Sequence, residues 1–171
     1  MRRLAALLAA TLAGAVPLAG CGLHPLYGSG STAAALGDVE IAPIQGKSGW
    51  LVANALRDRL AAHRDGAGAS RYRLDVTLDD QIQGLGVRPD NSVSRERRTL
   101  RARYQLVDQS SGAVLIDATA GSDAGIDVVR SEYATIAAEN SALERLAAVL
   151  ADRMVARLAL YARRAPAAPT R

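Results

Sequence analysis

Polar and apolar residues alternate with a period of two over two stretches in the middle of the chain. From Arg71 to Asp79, Tyr72 and three aliphatic residues occupy one parity, and charged or hydroxyl residues occupy the other. The stretch from Thr99 to Leu106 repeats this pattern, with two arginines among its polar positions. Because side chains point alternately to the two faces of a strand, both stretches predict strands that are buried on one face.

Two further strands and two helices complete the predicted elements. Short strands are predicted at Asp38 to Ile44 and at Ala113 to Thr119. A turn is predicted from Gly84 to Asn91, between the two long alternating stretches. Apolar residues recur at steps of three and four from Leu51 to Leu60 and from Ile136 to Tyr161. This spacing predicts two amphipathic helices, of which the second is long.

The predicted order is strand, helix, strand, strand, strand, helix, in a single domain over residues 38–162. Since the strands are apolar on one face only, we expect an α+β fold. Its form is a two-layer α/β sandwich, in which a four-stranded mixed sheet carries two helices on one face. The first two strands connect through a crossover helix, and the last three form an antiparallel meander. The opposite face of the sheet is then a polar surface rich in arginine.

The first 20 residues have the three parts of an export signal: Arg2 and Arg3, an apolar stretch from Leu4 to Val16, and small residues at a cleavage point. The junction reads Leu-Ala-Gly-Cys and looks like a bacterial lipobox, in which Cys21, the only cysteine, is lipidated. A plain secretory signal followed by a chance cysteine is the alternative. The apolar stretch is shorter than the roughly 20 residues that span a bilayer, so we expect acyl chains to tether the mature chain without a transmembrane helix.

Both ends of the mature chain predict segments without packed structure. Residues 21–37 predict the lipidated N-terminus and a flexible tether, since they are rich in Gly, Ser, Ala and Pro and show no period. Residues 163–171 contain two prolines and no apolar stripe, which predicts a disordered tail. The residue after the lipidated cysteine is Gly22. By resemblance to enterobacterial lipoproteins, the absence of Asp at this position favours transfer of the protein to the outer membrane.

The composition favours a packed domain without catalytic machinery. Hydrophobic residues make up 49% and charged residues 22% of the 171 residues, as in ordinary globular proteins. The two histidines have no acidic or cysteine neighbours at metal-ligand spacing, and no Gly-x-Ser-x-Gly motif occurs. We therefore expect no metal, no cofactor and no enzymatic activity. A lipid-anchored hydrolase is the third hypothesis, because Ser-His-Asp triads assemble in space.

Arginines are concentrated between residues 88 and 103, where six of them accompany Asp90 and Glu96. One interpretation is the solvated face of a strand and its turn. The other is an anion site, because guanidinium groups pair bidentately with phosphate or carboxylate. For an exported protein, the phosphorylated sugars of lipopolysaccharide are a better ligand than nucleic acid. The candidate residues are Arg95, Arg97, Arg98, Arg101 and Arg103.

Several short motifs follow the lipobox. They are Cys21-Gly22-Leu23-His24-Pro25-Leu26-Tyr27-Gly28, Ser94-Arg95, Tyr104-Gln105-Leu106-Val107-Asp108 and Ser131-Glu132-Tyr133-Ala134. Together they resemble the LptE family of lipopolysaccharide-assembly lipoproteins, in its alphaproteobacterial branch. The resemblance implies a two-layer domain that sits as a plug inside the LptD barrel of the outer membrane. It further implies a role in assembling the barrel and in delivering lipopolysaccharide to the outer leaflet.

Two main functional hypotheses follow. The first is a non-catalytic outer-membrane lipoprotein that forms a complex with an LptD-type barrel and contacts lipopolysaccharide. The alternative is a lipid-anchored, periplasm-facing domain that binds an anionic ligand without a barrel partner. A stable stoichiometric complex with a large barrel would separate the two.

Overall fold

The computed structural model describes residues 30–63, 70–87 and 93–164. These residues form three helices and one four-stranded sheet. In chain order the elements are α1 (Gly30–Gly37), β1 (Val39–Ile41), α2 (Gly46–Ala61), β2 (Tyr72–Val87), β3 (Val93–Asp108), β4 (Val114–Asp127) and α3 (Glu132–Arg164). The expected signal peptide, Cys21 and the chain after Arg164 lie outside the described residues.

The strands follow one another across the sheet in the order β1-β2-β3-β4. β1 and β2 are parallel, and α2 connects them, whereas β2, β3 and β4 are antiparallel neighbours. This arrangement confirms the expected α+β class, the four-stranded mixed sheet and the meander. The one-sided alternation of the strands favours this result, because only one face of such a sheet needs cover from helices.

The hydrophobic core lies between the sheet and the helices. Leu74 and Leu100 of the sheet belong to the same buried cluster as Leu56 of α2 and Leu150 and Met154 of α3. Complete burial of an aliphatic side chain of this size contributes about 1.5–3 kcal/mol. We call the sheet face that carries these residues the inner face, and the opposite face of β2, β3 and β4 the outer face.

α1 is an element that the sequence did not predict. The expected flexible tether extended to Gly37, but residues 30–37 are helical, and Leu36 and Thr32 are buried. α1 packs against α3, with a smaller contact to α2. An eight-residue helix is marginal in water by itself, so tertiary packing and not a local pattern stabilises it. The tether prediction is therefore wrong for residues 30–37.

The long strands extend beyond their alternating segments. β2 continues to Val87 and pairs with β3 through the predicted turn at Gly84, so that turn is wrong for Gly84–Val87. β4 continues to Asp127, whereas the prediction ended it at Thr119. Glycine and small residues interrupt the apolar alternation in these stretches, but pairing between strands depends on the backbone.

α2 and α3 lie side by side and run in the same direction. The side chain of Lys47 donates to Asn140 at 2.6 Å, and Arg59 pairs with Asp152 twelve residues further along each helix at 2.5 Å. α3 ends at Arg164, whereas the sequence predicted a disordered tail over residues 163–171. The tail prediction is therefore wrong for residues 163 and 164, and residues 165–171 lie outside the described residues. No helix in the described part of the chain is both long and apolar enough to cross a membrane.

Candidate functional site

Four of the five candidate arginines lie on the outer face. Arg95, Arg97, Arg101 and Arg103 have the opposite parity to Leu100, whose side chain is buried on the inner face. They form one row along β3, the central strand of the meander, with β2 on one side and β4 on the other. The alternation in the sequence predicts this placement correctly.

The outer face as a whole is balanced in charge. On β2, β3 and β4 it carries five arginines and five aspartates, so its formal charge is zero. The arginines are Arg73, Arg95, Arg97, Arg101 and Arg103, and the aspartates are Asp75, Asp79, Asp117, Asp123 and Asp127. The concentration of arginine along β3 is thus offset by aspartates on the flanking strands, far away in sequence.

Two of the candidate arginines are neutralised directly. Arg95 Nε lies 3.1 Å from Asp127 Oδ1, and Arg103 Nη2 lies 2.8 Å from Asp117 Oδ2. Hydrogen bonds from Arg103 and Gln105 lower the pKa of Asp117 to about 2, so this carboxylate stays ionised under all ordinary conditions. Arg95 and Arg103 are therefore poor attachment points for an added anion.

Arg97 and Arg101 form no ion pair within the described residues. Both are exposed, and their neighbours on β4 are glycines, Gly125 and Gly121. The side chain of Arg101 lies across Gly121, where an added Cβ would stand 3.2 Å from Arg101 Cγ. On β2 its neighbour is Asp79. Of the original candidates, these two guanidinium groups have the most freedom to bind a ligand.

Arg98 does not join the other four candidates, so its assignment to the anion site is wrong. Its side chain points to the inner face, where Nε and Nη2 donate to the two carboxylate oxygens of Asp80 at 2.8 and 2.7 Å. Its Nη1 donates to the backbone carbonyl of Glu139 at 3.1 Å. The Arg98 side chain is 12% exposed and that of Asp80 is 19% exposed. Arg98 thus connects β2, β3 and α3, and it has the same parity as Leu100.

Glu96 is a third charged residue on the inner face, beside Arg98 and Asp80. One of its carboxylate oxygens is buried without a hydrogen-bond partner, and its neighbour from α3 is Glu139. Burial, the negative charge of Glu139 and a hydrogen bond between the two carboxyl groups raise the pKa of Glu96 above its usual 4.5.

Replacing Glu96 with Gln is expected to stabilise the protein at neutral pH. Because its pKa is raised on folding, Glu96 favours the folded state below its ordinary pKa of 4.5, and this advantage is lost as the pH rises through the folded pKa. Chemical denaturation of parent and variant, once below pH 4.5 and once at neutral pH, measures the difference in their free energies of unfolding. The variant should be more stable than the parent only at the higher pH. An equal difference in stability at both pH values would contradict the raised pKa of Glu96.

A second group of arginines was not among the candidates predicted from the sequence. Arg153, Arg157 and Arg164 lie on the side of α3 that borders β4. Their steps of four and seven residues place them on one stripe of the helix, which the sequence alone could have indicated. The sequence could not indicate that β4 lies beside that stripe.

The described part of the chain contains no cluster of metal-ligating side chains. Nowhere in the described ranges do three His, Cys, Asp or Glu side chains come together in a way that could hold a metal ion. His63 follows the end of α2, and His24 lies outside the described residues.

The comparisons with known proteins identify the family of the chain. A family model described as LptE, lipopolysaccharide-assembly, matches residues 36–158. The match covers all four strands, α2 and most of α3. No curated protein matches the chain significantly.

Solved lipoproteins share the fold. A crystal structure of a lipoprotein from Caulobacter crescentus is similar with a TM-score of 0.65 and 26% identity, over 77% of this chain and 96% of that chain. A minor lipoprotein from Acinetobacter baumannii gives a TM-score of 0.56 and 16% identity, over 76% and 96% of the two chains. Rare lipoprotein B from Shewanella oneidensis gives a TM-score of 0.52 and 13% identity, over 71% of this chain and 95% of that chain. The last two identities support the fold alone.

Proposed function

Because the chain belongs to the LptE family of lipopolysaccharide-assembly lipoproteins, we propose that it is a non-catalytic partner of an LptD-type β-barrel in the outer membrane. In this role it sits in the barrel as a plug and assists both barrel assembly and the transport of lipopolysaccharide to the outer leaflet. Membership of the family supplies the pathway. The partner and the position inside the barrel are our proposal.

The charge-balanced outer face is the observation that best supports a position inside a barrel. The lumen of a large outer-membrane barrel is polar, so a domain that enters it must present polar side chains. The outer face does so, with paired arginines and aspartates such as Arg103 and Asp117. Eight large hydrophobic residues are exposed on the described surface, and the most exposed are Trp50 and Tyr133.

We further propose that acyl chains on Cys21 hold the protein at the periplasmic side of the outer membrane. Several acyl chains anchor far more firmly than one, since each buried methylene contributes about 0.8 kcal/mol. The segment between Cys21 and α1 would then connect the lipid anchor to the domain. This topology lets the domain reach the barrel lumen from the periplasm.

Contact with lipopolysaccharide remains a proposal at the level of residues. Arg97 and Arg101 are the candidates on the outer face that we favour, because they form no ion pair with the described residues. Arg95 and Arg103 are weaker candidates, since an incoming phosphate must compete with Asp127 and Asp117. A domain that binds an anionic ligand without a barrel is the alternative, and the same free arginines support it.

Capture of the protein from outer membranes tests the proposal. Outer membranes are extracted with mild detergent, the protein is captured through a C-terminal tag, and the eluted proteins are identified by mass spectrometry. We expect a large barrel protein of the LptD type in the eluate. A tagged lipoprotein with the same anchor and an unrelated domain is the control for capture through the membrane alone.

A further inference from the structure

The sheet has two long stretches of strand edge that no other described strand covers. β1 has three residues and pairs only with the start of β2, so β2 has a free edge beyond Leu74. β4 forms the opposite edge, because the strand order is β1-β2-β3-β4. A free edge presents a row of backbone N–H and C=O groups to which another extended chain can bond.

Backbone hydrogen bonds show which residues of β2 face its free edge. The carbonyl oxygen of Leu74 accepts from Ala42, which follows β1, so the even-numbered residues of β2 face this side. Pro43 comes next, and the pairing with β2 ends there. The register between β2 and β3 is regular as far as Leu85, so the even-numbered residues keep this orientation along the strand. Within residues 80–84, they direct their N–H and C=O groups away from the sheet.

Residues 80–84 are an uncovered part of this edge, which we call the β2 edge segment. No residue in the described ranges bonds to its edge-facing backbone groups. Residues 81–84 are all exposed, and the Ile82 side chain is 42% exposed. These four residues are uncharged and include no lysine or proline, the residues that commonly protect an edge strand from pairing.

The edge of β4 is better protected. Val128 donates to Ser94 of β3, so the odd-numbered residues of β4 face its free edge. Arg153 of α3 donates to the carbonyl oxygen of Gly121 at this edge. Charged side chains on an edge strand discourage pairing with another chain. Acidic side chains stand at three odd-numbered positions of β4, namely Asp117, Asp123 and Asp127.

We propose that an extended segment of the barrel partner adds to the sheet as a further strand along the β2 edge segment. This inference rests on the proposed function, since the barrel supplies the segment. Inside a barrel the domain is surrounded by protein, and backbone groups that lose water there need protein partners. In strand addition, main-chain hydrogen bonds give affinity, and side chains at alternate positions give specificity.

The side chains beside the β2 edge segment indicate the chemistry of the added strand. On the inner face, an apolar side chain would cover Ile82. On the outer face stands Asp79, whose carboxylate accepts from Gln81 Nε2 at 3.0 and 3.2 Å. Asp79 forms no ion pair within the described residues, although Arg101 is its neighbour on β3. Charge complementarity therefore favours a strand in which basic side chains beside Asp79 alternate with apolar ones beside Ile82.

Hydrogen exchange tests this pairing directly. The lipidated protein alone is compared with its detergent-extracted complex with the barrel, by mass spectrometry that resolves single amides. We expect the amides of Ile82 and Gly84 to exchange rapidly in the protein alone and roughly tenfold more slowly or less in the complex. The edge-facing amides of Thr119 and Asp123 on β4 are the control and should not change. Unchanged exchange at Ile82 and Gly84, or equal slowing at both edges, would overturn the proposal.

Proline substitution tests the same pairing by capture of the barrel. Ile82→Pro removes an N–H that faces away from β3, so the bonds between β2 and β3 stay intact. The matched control is Thr119→Pro on the edge of β4. We expect Ile82→Pro to capture roughly fivefold less barrel than the parent, because backbone hydrogen bonds are lost, and the control to capture as much as the parent.

Charge reversal provides a second variant that does not depend on how proline is tolerated. Asp79→Lys should also lower capture of the barrel, whereas Asp123→Lys, with the same change in net charge, should not. Parental capture by both Ile82→Pro and Asp79→Lys would overturn the strand pairing and leave the barrel partnership standing. A parent that captures no barrel would instead contradict the proposed function. A doubled mass of the protein alone, lost in Ile82→Pro, would assign the edge to a second copy and overturn the proposal.

Discussion

Replacing Arg98 with Ala is expected to lower the free energy of unfolding by about 3 kcal/mol or more. The substitution leaves Asp80 as a nearly buried carboxylate without a cation, and such removal of one partner typically costs about 3–5 kcal/mol. It also removes the hydrogen bond from Arg98 to the carbonyl of Glu139, which joins β3 to α3. Chemical denaturation of the purified protein measures the loss.

Arg97→Ala is the matched control, because Arg97 is the adjacent residue in the same strand and faces the other way. It is exposed and forms no ion pair with the described residues, so its loss should stay within about 0.5 kcal/mol. Adding Asp80→Asn to Arg98→Ala should recover part of the stability, since it removes the unpaired charge. Equal effects of Arg98→Ala and Arg97→Ala would refute the assignment of Arg98 to the inner face.

Replacing Cys21 with Ala is expected to abolish acylation of the protein. Cys21 is the only cysteine in the chain, so no other thiol can take its place. Metabolic labelling with a palmitate analogue, followed by capture of the protein, should give a strong signal from the parent and none from the variant. Without acyl chains, the anchoring contribution of about 0.8 kcal/mol for each buried methylene is lost.

Gly22→Ala serves as the control for this experiment, because it leaves the modified thiol in place. Its label should equal that of the parent. Acyl label that persists in Cys21→Ala would show that the attachment lies elsewhere in the chain, and the lipobox interpretation would then fail.

The strands and their buried face could be predicted from the sequence because their pattern is local. The alternation around Leu74 and Leu100 identifies the strands and the face that the helices cover. α1 could not be predicted in this way, because Leu36 becomes buried only through its contact with α3. The extension of β2 beyond Gly84 was not predicted either, because backbone pairing continues where the apolar alternation stops.

The candidate site was harder to predict than the fold because charge balance depends on neighbouring strands. Arg103 belongs to an arginine-rich segment in the sequence, but in the sheet it lies beside Asp117, fourteen residues away. The position of Arg98 could have been predicted, since it has the same parity as Leu100. The position of Arg157 beside β4 could not be predicted, because nothing local indicates which strand packs against that stripe of α3.

The stoichiometry of the complex captured from detergent-extracted outer membranes tests the central claim most directly. Quantitative mass spectrometry compares the amount of this protein with that of each protein that elutes with it. The proposed function predicts one large outer-membrane barrel of the LptD type in equal amount, retained under conditions that release the control lipoprotein. An eluate in which the protein is intact and acylated, but no barrel accompanies it, would contradict the proposal and favour a tethered domain that binds an anionic ligand alone.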